Sequence, residues 1–497
     1  MNDFKVLLVY PNLQMVNLMP TNIALLTACL KNAGMQVELF DTTLYKTAEK
    51  SLDDIRVEHM QVRPFNLNEK GVSYKTTNVF SDFVRLVDRF KPDVIAVTVV
   101  DDTYNIAIDL IAKIDKKNIH VIFGGIRATF SPDDVINNEN IDSVCIGEGE
   151  EALVELCLKL QAKENSTDIK NLWVKKDGKV YKNELRKPAD INDLPYDDFS
   201  LFEEKRFYRP MQGKVYRMIP VTIDRGCPFN CAFCAAPNIR KVYDDAGYKS
   251  FFRVKRVDRI FDELKFYIKT YKADYIYFNS ETFFAGKLET LKTFAKRYAD
   301  EIKLPFWCQT RIETITRDTA KLLKDMGCDR LSIGLEHGNE NFRKKFLKKT
   351  FLNEDVIKAF KILNAEGLKV TINNIIGFPD ETRELVFDTI NLNRCIKADS
   401  INAYYFAPYR GTPLREYCID KGYILENVDS DSLIGSSVLR MPQISQDEIK
   451  GLVRTFPLYV KMPKTHFNKI KKAEKLDTKG NKVFKELRDV FFREYFN

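Results

Sequence analysis

Short apolar runs, each cut off by a proline or glycine turn and followed by a segment of helical period, recur along most of this chain. KVLLVY (5–10) stops at Pro11-Asn12, and residues 22–33 then carry a helical apolar stripe that ends at Gly34. Strand-like runs follow at 37–40, 93–100, 120–123 and 142–146, the fourth ending in Gly124-Gly125 and the fifth in Gly147-Glu148-Gly149-Glu150. Helical segments at 104–113 and 151–160 separate them. Strands that alternate with helices pair in parallel, because each return needs a crossover, so the first third is read as an open, doubly wound α/β layer. In such a layer ligands meet the turns at the carboxyl ends of the strands. Pro11-Asn12, Gly124-Gly125 and Gly147-Glu148-Gly149-Glu150 therefore converge on one rim, although no GxGxxG fingerprint points to a dinucleotide.

The length, 497 residues, calls for about three folded units at roughly 150 residues each. With 44% hydrophobic and 30% charged residues the chain is neither collagenous nor largely disordered. The longest apolar run, 94–100, falls well short of the roughly 18 residues a membrane span needs. The opening MNDFKVLLVYPN lacks a signal-peptide pattern, so a cytoplasmic location is expected. A net charge of +8 is a mild bias that does not diagnose nucleic-acid binding. In a cytoplasmic chain, ten cysteines argue for metal rather than disulfides. Seven stand alone in the sequence; three do not.

Residues 173–181 (WVKKDGKVY) carry Asp177-Gly178 between β-prone runs, a hairpin signal. The polar stretch 188–199 reads as a connector. A second strand–helix series starts at 219–223 and runs directly into RGCPFNCAFC, which places Cys227, Cys231 and Cys234 on a loop as Cys-x3-Cys-x2-Cys. Three thiolates so spaced can hold three irons of a 4Fe–4S cluster and leave the fourth iron open. The alternative is structural zinc, which wants four protein ligands. No histidine occurs between His120 and His337, and the nearest spare thiol downstream is Cys308, so zinc would need a distant fourth ligand.

RGCPFNCAFC resembles the signature of the radical S-adenosylmethionine (SAM) superfamily. The Pro11-Asn12 turn, Gly124-Gly125 with IRATFSP, and GEGEEAL resemble, in order and spacing, the cobalamin-binding domain of that superfamily's corrinoid members. Downstream, runs at 275–278, 305–310, 331–335, 370–376 and 403–407 resemble a partial (β/α)6 barrel, with EHGNE (336–340), GFPDET and PYRGTPL at strand exits. The resemblance implies a Rossmann-like cobalamin-binding domain at 1–165, a linker with a hairpin at 166–205, a radical SAM partial barrel at 206–425 and a mainly helical region at 426–497. In that last region Ser445–Glu448 is read as a capping box that opens a helix interrupted by Pro457 and Pro463.

Carried over by motif, the cluster falls to Cys227, Cys231 and Cys234. SAM falls to Phe233, Ser280, Glu281, Arg311, Glu336, Tyr405 and Ala407. Cobalamin falls to Pro11, Asn12, Pro20, Thr98, Asp101, Thr103, Gly124, Gly125, Gly147, Glu148, Gly149 and Glu150, although Thr103 also fits a helix N-cap. The turn after the first strand has no Asp-x-His-x-x-Gly, so no protein imidazole is expected below cobalt. The resemblance implies a C-methyltransferase: the cluster reduces SAM to an adenosyl radical, a substrate hydrogen is removed, and methylcobalamin supplies the methyl group. It further implies a low-potential electron donor such as flavodoxin or ferredoxin, and a small-molecule or peptide substrate. The alternatives are a non-methylating enzyme with the same cofactors, a methylthiotransferase, which would want a further cysteine trio near the N-terminus, and a zinc-bearing binding protein.

Overall fold

The computed structural model describes residues 4–249, 251–430 and 435–496. Its sixteen strands are β1 (Lys5–Tyr10), β2 (Gln36–Asp41), β3 (Val94–Thr98), β4 (His120–Gly124), β5 (Ser143–Cys145), β6 (Leu172–Lys176), β7 (Lys179–Lys182) and β8 (Tyr208–Met211), followed by β9 (Lys214–Thr222), β10 (Asp224–Arg225), β11 (Arg253–Val254), β12 (Tyr275–Asn279), β13 (Phe306–Thr310), β14 (Cys328–Glu336), β15 (Val370–Ile376) and β16 (Ser400–Tyr405). They form two seven-stranded sheets and the short pair β10–β11.

The first sheet has the order β2-β1-β3-β4-β5-β6-β7. β1 to β5 are parallel; β6 and β7 add an antiparallel hairpin. Asp177 and Gly178 at the hairpin tip both have positive φ, 50° and 74°, as a two-residue turn that follows the strand twist requires. Successive side chains of a strand point to opposite faces, and here both faces are covered. Leu7, Val9, Ile95, Val97 and Phe123 pack against Phe83 and Leu110 on one side. Val6, Leu8, Val94 and Ile122 pack against Ile23, Leu30 and Leu156 on the other. The strand order reverses between β1 and β3, which opens a crevice at their carboxyl ends.

The second sheet, β16-β15-β14-β13-β12-β9-β8, holds six parallel strands with β8 antiparallel at one edge. It is the partial (β/α)6 barrel that the motif series implies. Its outer face is core, while inner-face residues such as Trp307, Gln309, Thr371 and Asn373 stay half-exposed.

The charged insertion after β2 spans the barrel's open side. Leu44, Leu67 and Val72 pack against Tyr208 and Val215 at the β8–β9 edge. Gln61 Nε2 donates to Ala403 O of β16 at 2.9 Å. Towards the C-terminus, helix Gln446–Lys461 runs through Pro457, contrary to the expected interruption. Residues 451–460 are all buried, so packing outweighs the one hydrogen bond that proline cannot donate. The helix stops immediately before Pro463.

Candidate functional site

A cavity of about 580 Å3 lies where the carboxyl-end turns of the two sheets face each other. Thr21, Asn22, Thr98, Gly124, Gly125 and the turn 147–150 line it from the first sheet; Thr222, Asp224, Arg225, Asn279, Glu281 and Cys234 line it from the second. Asn22 Nδ2 donates to Thr98 Oγ1 at 3.2 Å across the β1–β3 crevice.

The glycines of this rim serve different ends. Gly125 has φ 96°, and a Cβ there would sit 2.6 Å from Val99 O, so the turn itself demands glycine. Gly124 and Gly149 have no such need. Neither has positive φ, and an added Cβ would meet Cys145, at 3.6 and 3.5 Å, and for Gly149 also Leu26 at 4.0 Å, all in ordinary contact. What they keep empty is the cavity wall, which suits a broad, flat group resting on the rim.

The turn 147–150 is tied to the short β10–β11 pair on the cluster-loop side of the cavity. Glu148 pairs with Arg225 at 2.9 Å and with Arg253, and its Oε2 accepts the Ala189 N–H at 3.0 Å. Glu150 pairs with the same Arg225 at 2.8 Å. The Tyr243 hydroxyl accepts the Glu148 N–H at 2.8 Å, and a side chain at Gly147 would collide with it. The two glutamates thus line the cavity while their charges are spent on a clamp between the sheets. Arg225 stands two residues before Cys227.

The cluster loop 227–234 leads into helix Ala235–Asp245. Arg311 donates to Cys231 Sγ at 2.9 Å and lies over the Phe229 ring. Ala232 N donates to Leu347 O, and Leu414 N to Ala232 O. Burial, then the Glu281 charge, pushes the Cys234 thiol up to about 12, so a thiolate there needs a bound cation. Burial also raises Cys227. Among the described residues no three His, Cys, Asp or Glu side chains converge on a single ion. The loop's own donor set, three thiols and no imidazole, is the one an iron–sulfur cluster with an open iron takes.

The other expected contacts divide. Glu281 lines the cavity, and burial raises its carboxyl. Ser280 donates to Asp224 at 2.6 Å behind the wall. Phe233 packs edge-on against Phe378 of the GFPDET turn. Glu336 has φ 66° and binds Lys349 Nζ at 2.9 Å. Tyr405 and Ala407 are buried at the exit of β16. None of these last five lines the cavity, nor do Pro11, Asn12, Pro20, Asp101 and Thr103. Asn12 holds its own turn through Val16 O and Thr43 Oγ1, and Pro20 precedes helix Thr21–Asn32. Asp101 is locked to Arg127, and the Thr103 hydroxyl accepts the Val100 N–H at 3.3 Å, as a helix cap does.

The sequence reading missed two acids. Asp197, from the connector, and Asp224, after β9, line the cavity, and burial lifts each to about 7. Their one sequence signal was position, beside the domain junction and beside the cysteine loop.

Comparison with known proteins agrees with this geometry. Residues 221–392 match the radical SAM superfamily and residues 16–157 the B12 binding domain. The chain is a cobalamin-dependent radical SAM enzyme of the methyltransferase-like class. Among relatives of this class, an uncharacterized methyltransferase of Pyrococcus horikoshii is 28% identical over 382 residues, covering 76% of this chain and 80% of that protein. The anaerobic magnesium-protoporphyrin IX monomethyl ester cyclase of Rubrivivax gelatinosus is 24% identical over 361 residues, 70% of this chain and 63% of that one. The radical SAM methyltransferase TsrM of Kitasatospora setae, solved with tryptophan and a SAM analogue, shares the fold at TM-score 0.63 and 15% identity, covering 86% of this chain and 80% of that chain. Among the described residues, no helix of this cobalamin-dependent radical SAM enzyme is long and apolar enough to cross a membrane.

Proposed function

We propose that this enzyme transfers a methyl group to an unactivated carbon of a small molecule or peptide, with its cofactors held across the cavity. The single observation that carries the reading is the placement of the cysteine loop, through Gly226 and Cys234, and of a glycine-flattened rim on opposite walls of one cavity. In this reading Cys227, Cys231 and Cys234 hold three irons, and Arg311 balances the charge at Cys231. Glu281, Phe233 of the cluster loop and the strand exits at Ser280 and Glu336 receive SAM. The rim from Thr98 through Gly124, Gly125 and Gly149 receives the corrin. Bound there, the groups would supply a one-electron reductant, a hydrogen-abstracting radical and a methyl donor.

The chain's own contribution is orientation and exclusion of water. The Glu148–Arg225–Glu150 clamp fixes the rim against the cluster loop, and buried Asp197 and Asp224 are groups able to hold a proton near neutrality. A low-potential protein such as flavodoxin or ferredoxin would deliver the electrons. The domain limits 1–165, 166–205, 206–425 and 426–497 belong to the same proposal.

A second reading, oxidative cyclisation without methyl transfer, is favoured by the cyclase relative. The test uses SAM carrying a labelled methyl group, with the reduced, loaded full chain. Methyl transfer requires both 5′-deoxyadenosine and S-adenosylhomocysteine, with the label appearing in the bound corrinoid. Deoxyadenosine alone, with no label transferred, would replace methylation by the second reading.

A further inference from the structure

The inner face of the second sheet carries groups that neither the rim nor the cluster loop employs. Parallel strands are usually buried on both faces. Here Trp307, Gln309, Thr371, Asn373 and Tyr404 are half-exposed beside buried Tyr277, Ser332 and Asn402, so the inner face is covered only in part. Buried Tyr277 stacks on the half-exposed Trp307 at 4.2 Å and fixes its plane. Arg209 of β8 pairs in register with Tyr216 and lies over the Trp307 ring at 4.9 Å.

The charge balance at that wall is uneven. Arg209 has no ion-pair or hydrogen-bond partner among the described residues, and its Nη1 is buried. The acid nearest to it in effect, Asp53, is already held by Arg56 at 3.0 Å, so two guanidiniums share one carboxylate. The loop after β1 lies along the same edge. Arg206 Nη1 donates to Val16 O at 3.2 Å, and Leu18 packs into the same apolar cluster as Met211, Tyr277 and Trp307. Between them, Asn17 is 6% exposed, yet both its side-chain oxygen and its nitrogen lack any partner. Buried polar atoms are nearly always satisfied, and a cation, an amide donor and an amide acceptor left open on one edge call for a ligand.

We infer that Arg209, backed by Trp307 and joined by Asn17, forms an oxyanion subsite in the barrel lumen for a substrate bearing a carboxylate or phosphate on a flat, unsaturated body. The inference rests on the methyl-transfer reading proposed above and adds to it a place for the substrate in the lumen. The oxyanion takes the guanidinium edge, and the flat body packs beside the half-exposed Trp307. The insertion then acts in specificity: it closes the lumen's open side through Gln61 and supplies the Asp53–Arg56 pair that leaves Arg209 free.

The experiment is calorimetric titration of the full chain, loaded with cluster and cobalamin, with benzoate, phenylphosphate and benzyl alcohol. The expected result is saturable binding of at least one anion and none of the alcohol; which anion binds tells carboxylate from phosphate. Arg209→Gln should weaken that binding by about tenfold or more, with part of the loss restored in Arg209→Lys, and Asn17→Ala should weaken it by less. Cobalamin content, read from the corrin absorbance, reports whether each variant is folded. Binding of neither anion, or equal affinity in folded Arg209→Gln, would overturn the subsite. SAM cleavage by the parent chain, run separately, tests the enzymatic reading alone, so the two failures are distinguishable.

Discussion

The two parallel sheets of this enzyme bury different numbers of faces, and that difference decides where each can hold a ligand. The first is covered by helices on both sides, so only its rim is available, and its chemistry is a matter of which turns stay flat. The second is core on its outer face and only partly covered on its inner face, so residues such as Trp307, Gln309, Thr371 and Asn373 can be offered to a ligand. A rim binds by leaving room. A lumen binds by presenting groups. Substitutions should therefore fail in different ways in the two halves.

The largest effect is expected at the cluster loop. Cys231→Ala should lose the brown colour and bound iron and bring SAM cleavage to background, while cobalamin content stays near the parent value. Joint loss of both cofactors would mean that the two walls fold as one unit, and the contrast between them would fall.

Next comes the rim. Gly124→Val places a side chain suited to a strand where only Cys145 stands near, so the fold should tolerate it while the cavity wall fills. Cobalamin affinity should drop by about tenfold or more, with iron content unchanged. One residue on, Gly125→Ala should fail through folding, since its Cβ meets Val99 O and its φ is 96°. A cost of about 1–3 kcal/mol in chemical unfolding is expected there. Equal behaviour of the two variants would refute the claim that Gly124, unlike Gly125, is kept small for a ligand.

Legibility in the sequence followed the same divide. The first sheet could be read from its apolar runs, because a parallel strand buried on two faces is a short continuous apolar stretch, and the second from its runs together with the turns after them. The cysteine loop was readable because its spacing is local. The glutamates of 147–150 were placed at the rim correctly, but the sequence cannot show that Arg225 and Arg253, some 75 and 105 residues away, arrive to neutralise them. The insertion after β2 looked like a polar excursion. Its role is tertiary: Gln61 meets Ala403 across more than 340 residues, a partnership no local pattern encodes. Pro457 was read as a break because proline ordinarily is one, and burial on every side overrode it.

The clamp joins what the comparison separates. Arg225→Ala would leave Glu150 without the partner it has in the parent and Glu148 with Arg253 alone. Breaking a largely buried pair by removing one partner costs about 3 kcal/mol, read as a lower urea midpoint. Both cofactors should then be lost together on mild warming, unlike in Cys231→Ala. Unchanged stability would reduce the clamp to a surface pair.

The smallest effect concerns Asp197, whose carboxyl burial lifts to about 7 despite the nearby charges of Lys255, Arg225 and Arg259, which lower it, with Glu263 acting the other way. In the unfolded chain the same group ionises near pH 4. Below that point both states hold the proton and the native state keeps its full advantage. Between about pH 4 and 7 the unfolded chain has already lost the proton that the native chain retains, so unfolding releases a proton and stability falls as pH rises. Asn in its place cannot titrate. The stability of Asp197→Asn relative to the parent should therefore increase from pH 5 to pH 7 by about 2 kcal/mol in urea unfolding of the cofactor-free chain. A gap that stays constant over that window would mean that the cavity solvates Asp197 like an open surface, and the wall between the two sheets would then be wetter than its buried acids imply.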